Sequence, residues 1–70
     1  MTLRDFSRLS EAGKDEMVLL WGDYVTDQVI PGQRVLLYRI DDFYVEVYYD
    51  FKEQRIKKYK GCHRSDLVRA

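Results

Sequence analysis

Residues 35–40 (VLLYRI) and 43–49 (FYVEVYY) are two runs of strand-forming residues joined only by Asp41 and Asp42. A two-residue connection between such runs specifies a tight antiparallel hairpin, although the missing glycine makes a primed turn harder to form. The minimal turn pairs Ile40 with Phe43, Tyr38 with Val45 and Leu36 with Val47, and a slip of one residue would turn every side chain to the other face. In this register one face carries Leu36, Tyr38, Ile40, Phe43, Val45, Val47 and Tyr49, and this is the expected core face. The opposite face carries Val35, Leu37 and Arg39 against Tyr48, Glu46 and Tyr44. Two aliphatics and two tyrosines around one Arg/Glu pair are more apolar than a sheet face normally turned to water.

Before the hairpin the period is helical. Phe6, Leu9, Met17, Val18, Leu20 and Trp21 recur among Arg8, Glu11, Lys14, Asp15 and Glu16, the pattern of an amphipathic helix. Ser10 followed by Glu11 reads as an N-cap with an anion in the first turn, which splits the segment into a short helix over 3 to 8 and a longer one over 11 to 21. Gly22 is expected to end it in a left-handed conformation, and Gly13 to mark close packing against the sheet. Tyr24 to Ile30 reads as a weak strand, Pro31-Gly32 as a turn, and Arg55 to Lys60 as a fourth strand after the polar loop Asp50 to Gln54. The fourth strand's register stays open. A four-residue loop places Ile56 on the core face and Tyr59 outside, and a change of one residue reverses both.

The expected fold is therefore α+β: one or two N-terminal helices on a three- or four-stranded antiparallel meander, with a short tail that begins a helix near Ser65. Trp21, Leu20, Met17, Leu9 and Phe6 should pack on Leu36, Val45, Val47 and Phe43. Seventy residues, 46% of them hydrophobic, make one domain over 1–70 with a thin core that a partner surface would help to stabilise. Large enzyme architectures are excluded at this length.

Twelve basic and twelve acidic side chains give no net charge, which reduces colloidal repulsion and suits self-association. The distribution is uneven. Residues 1 to 53 carry a net −5 and residues 54 to 70 a net +5. The single cysteine, Cys62, allows no intrachain disulfide, and the first residues lack the apolar stretch of a signal peptide, so a reducing cytoplasm is the expected location.

Little catalytic chemistry can be assembled. Cys62 and His63 are adjacent, so on an extended segment they point apart and serve neither as a nucleophile pair nor as half of a tetrahedral metal site. Asp41, Asp42 and Asp50 read as turn residues rather than cation ligands. Glu46 sits mid-strand among tyrosines, where an ion pair with Arg39 or with a lysine of the fourth strand is a simpler reading than acid–base catalysis. The expectation is a non-enzymatic protein with no metal and no cofactor.

The order of elements, with Leu37, Tyr38, Phe43, Tyr44, Val45, Glu46 and Tyr48 as its distinctive part, resembles a group of small bacterial proteins. In these an aliphatic-Tyr strand leads through a short turn into a Phe-Tyr-Val-Glu-Val strand. The resemblance implies this fold and carries no catalytic residue across, and it implies a longer closing helix than this tail offers.

A small-ligand site aside, two uses of the outer sheet face remain. The chain's own tail folds across it, or Val35, Leu37, Arg39, Tyr44, Glu46 and Tyr48 form an interface with a second copy or another protein. The alternative function is nucleic-acid binding, with Arg55, Lys57, Lys58, Lys60 and Arg64 on phosphates and Tyr59 and Tyr44 stacking on bases. A lysine-rich final strand also protects a sheet edge against stray pairing.

Overall fold

The computed structural model describes residues 1–67. Two helices, α1 (Leu3–Ser7) and α2 (Glu11–Trp21), precede four strands, β1 (Asp23–Ile30), β2 (Gln33–Ile40), β3 (Phe43–Asp50) and β4 (Arg55–His63), and a 3₁₀ turn at Arg64–Leu67 follows. The strands form one sheet in chain order, an antiparallel meander. The α+β architecture expected from the pattern is the one observed. The closing helix foreseen near Ser65 is the 3₁₀ turn, and the far end of the tail, 68–70, lies outside the described residues.

Local chemistry accounts for the boundaries. Thr2 caps α1: its hydroxyl accepts from the Asp5 amide, and the Asp5 carboxylate accepts from the Thr2 amide in return, satisfying two otherwise orphan donors. Ser10 Oγ accepts from the Gly13 amide and starts α2, which makes the break at Ser10 real. Asp41 takes φ 53° in the hairpin turn and Gly32 takes φ 79° after Pro31. Aspartate is one of the few non-glycine residues that enters this region at modest cost. Ile40 pairs with Phe43, Tyr38 with Val45 and Leu36 with Val47, the register the two-residue turn demands.

On the helical side the side chains form four rows across the sheet. The first holds Ile40, Phe43 and His63; the second Tyr24, Tyr38, Val45 and Gly61; the third Asp27, Leu36, Val47 and Tyr59; the fourth Val29, Arg34, Tyr49 and Ile56. The core is Phe6 and Val18 from the helices with Ile40, Phe43, Val45 and Val47, surrounded by half-buried Leu3, Leu9, Met17, Leu36, Tyr38 and Tyr59. The Phe6 and Phe43 rings meet at 5.8 Å. Gly61 lies under α1, with the Leu3 and Phe6 side chains close to where a Cβ would stand.

Several expectations need correction. Leu20 and Trp21 do not pack on the sheet: they are 65% and 67% exposed, as is Leu19 at 75%. Residues 17 to 21 are five consecutive helical positions about 100° apart, so they go all the way round the helix and cannot share one face. Gly22 is extended rather than left-handed, with φ −78° and ψ 134°. Glycine is needed there for closeness, since a Cβ would come 2.5 Å from the Val18 carbonyl oxygen. Gly13 packs against Leu9 instead of the sheet. Neither register considered for β4 is correct. A bulge falls between Tyr48–Lys58 and Tyr49–Ile56, and its extra residue, Lys57, puts Ile56 and Tyr59 on the same, helical side.

Candidate functional site

The sheet offers two faces for recognition. On the outer face the rows read Gln28, Val35, Tyr48, Lys58; then Thr26, Leu37, Glu46, Lys60; then Asp23, Arg39, Tyr44, Cys62. The six candidate interface residues are thus brought together on β2 and β3. They are not equally available. Val35 and Glu46 are both buried at 7% within a single chain, Leu37, Tyr44 and Tyr48 are half-buried, and Arg39 is exposed. The Tyr48 hydroxyl donates to Glu46 Oε1 at 3.3 Å, and Lys58 Nζ lies over the Tyr48 ring at 4.5 Å, a cation–π arrangement. The sequence expects Glu46 to pair with Arg39 or with a lysine of the fourth strand, and Lys60 of β4 stands directly opposite it on this face.

The candidate nucleic-acid residues are divided between the faces. Arg55, Lys58 and Lys60 take outer-face positions, and Arg64 opens the 3₁₀ turn. Lys57 Nζ donates to Glu53 Oε2 at 2.7 Å and Arg55 Nε to Glu53 Oε1 at 3.3 Å, so one carboxylate takes up two of the cations and is held below the usual range by them, Lys57 first. Tyr59 faces the helices and donates its hydroxyl to Asp15 of α2 at 2.5 Å. Burial, then that bond, pushes its phenol well above the ordinary tyrosine value. Cys62 lies opposite Tyr44 on the outer face and His63 opposite Phe43 on the helical side, so the two do not converge. Asp50 accepts from the amides of Lys52 and Glu53 at 2.8 and 2.9 Å, which makes it a turn former and lowers its carboxyl, the Glu53 amide contributing most. Among the described residues no three His, Cys, Asp or Glu side chains gather as a metal site.

The helical side carries a surface that the sequence reading missed. Its fourth row lies beyond the helices: Val29 is 61% and Ile56 39% exposed, Arg34 is exposed and Tyr49 half-buried. Phe51, 42% exposed, stands edge-on to Tyr49 at 6.1 Å. Arg34, Leu36, Tyr49 and Phe51 line an open depression of about 410 Å³. The sequence carries a signal for this surface, because the hairpin register places Tyr49 on the core face and the helices are too few to reach it. Comparison with known proteins adds no constraint. The chain matches no family model, no curated protein and no solved structure.

Proposed function

We propose that this protein is a non-enzymatic interaction module whose first partner is a second copy of itself. The observation that carries the reading is surface. Leu19, Leu20, Trp21, Tyr24, Val25 and Val29 are all at least 47% exposed, more large apolar side chains than scattered single exposures account for. Zero net charge leaves no repulsion to oppose association. Two surfaces are available for it, the outer face around Leu37, Arg39, Tyr44 and Tyr48, and the helical side.

Sedimentation equilibrium from low to high micromolar concentration tests the reading. The expected result is a reversible shift toward twice the monomer mass, and a constant monomer mass across that range overturns it. Nucleic-acid binding is less well supported, because Glu53 takes up Arg55 and Lys57 and Tyr59 is turned inward. Oligonucleotide retention that weakens steeply with salt would favour that reading instead.

A further inference from the structure

Resting on the proposal of self-association, we infer that the two copies pack with their helical sides together, the outward stripe of each α2 lying on the bare fourth row of the other's sheet. Two incomplete surfaces on one side of the molecule point to this arrangement. The stripe consists of Ala12, Glu16, Leu19 and Leu20, all exposed, at the i, i+4, i+7, i+8 spacing of an apolar helix face. The row consists of Val29, Arg34, Tyr49 and Ile56, with Phe51 beside it. A helix stripe without a sheet and a sheet row without a helix are complementary elements, and since both lie on the same side, one two-fold axis satisfies both at once.

The dimensions allow it. The molecule measures 32 × 32 × 17 Å, one sheet and one helical layer thick, and an α-helix is roughly 10 Å wide. A second helix laid beside the first extends the helical layer over the open end of the sheet without adding a new layer. Charge fixes the register. Glu16 is the only ionised group in the stripe and Arg34 the only one in the row, and neither belongs to an ion pair among the described residues. Face-to-face packing brings the Glu16 of each copy to the Arg34 of the other, twice per dimer, in a setting drier than the surface of either copy.

A charge exchange tests the arrangement. The dimer dissociation constant would be measured for the wild type, for Glu16→Arg, for Arg34→Glu and for the double variant, all at exposed positions where folding is insensitive to the change. Each single variant is expected to weaken the dimer at least tenfold, and the double variant to recover to within about threefold of the wild type. Single variants that dimerise as the wild type does, or a double variant no better than its parents, overturn this packing. Tyr44→Ser with Tyr48→Ser separates the two levels of the proposal. A wild-type dimer lost in that variant but indifferent to the charge exchange moves the interface to the outer face and leaves self-association standing, whereas a wild-type protein that stays monomeric removes both.

Discussion

The two ends of the helical sheet face use similar residues and have opposite fates. At one end Ile40, Phe43 and Val45 are buried to 2% or less under α1 and α2. At the other, Val29 and Ile56 remain 61% and 39% exposed on the same face of the sheet, where they stand on its edge strands β1 and β4. Residue type does not separate them; the reach of the helices does. Eight-residue strands run about 26 Å, while α2 crosses them from Asp15 at Tyr59 of β4 to Gly22 at Tyr38 of β2 and covers a band roughly 10 Å wide. With the five residues of α1 the helical layer covers the first three rows where they cross β2 and β3, and leaves the fourth row and nearly all of β1 outside it. A short chain has thus built a full sheet and part of the layer that covers it.

The sharpest way to break this contrast is to remove a ring from the covered end. Phe43 has no exposed surface and packs on Phe6, so Phe43→Ala should cost about 3–5 kcal/mol. A domain of this length holds roughly 4–10 kcal/mol in all, so denaturant unfolding should show a midpoint moved far toward zero or no transition. A loss below about 1 kcal/mol would mean that the covered end is no better packed than the bare one.

The helix terminus comes next in size. Gly22→Ala puts a methyl group against the Val18 carbonyl oxygen, which as backbone cannot swing aside, and the end of α2 must shift. The expected cost is about 1–3 kcal/mol, measured by the same unfolding curves. A left-handed glycine would also dislike alanine, so Gly22→Asn separates the two causes. Asparagine tolerates the left-handed region, and here it should be at least as harmful as alanine.

Tyr59→Phe removes the hydrogen bond that ties α2 to β4 and should cost about 1 kcal/mol near neutral pH. It should also change the alkaline limb of the stability profile. The folded-state phenol is raised above its ordinary value of 10.0, so the unfolded chain ionises first. Its contribution is fully present below pH about 10 and is lost progressively above it. The phenylalanine variant should therefore show a shallower decline above that pH than the wild type; an identical slope would remove the role assigned to the Asp15 bond.

The hairpin was legible because two residues between alternating runs leave one sensible register, and the outcome, Ile40 with Phe43, follows from that count. The break at Ser10 was legible for a similar reason, a single side chain able to cap a helix. What was not legible depended on distance rather than pattern. Leu20 and Trp21 are apolar and helical, yet nothing local says on which side of α2 the sheet lies. The Lys57 bulge adds one residue to an edge strand without any glycine or proline to announce it, and it alone decides that Ile56 and Tyr59 share a face. Thr2 and Asp5 follow the capping-box spacing with aspartate in the place more often taken by glutamate, which makes the signature weaker. The candidate surface was missed through the same error as Leu20 and Trp21, namely the assumption that apolar residues on the core face are all covered.

The smallest expected effect comes from the bare end and sharpens the contrast most. Ile56→Ser exchanges a large apolar side chain for a small polar one on the fourth row, 39% exposed and beyond the helices. In dilute solution, where the chain is monomeric, it should cost no more than about 1 kcal/mol, well below the cost at Phe43 on the same face. Raising the concentration should then separate the variant from the wild type. If the fourth row is covered by a second copy, the wild-type melting temperature climbs with protein concentration because the dimer draws on the folded state alone, and the serine variant climbs less. Melting curves recorded over a hundredfold range of concentration therefore read the two ends of one face as two kinds of stability, one held within the chain and one that exists only between chains. Parallel curves for wild type and variant would assign Ile56 to solvent and return the fourth row to the status of an ordinary exposed surface.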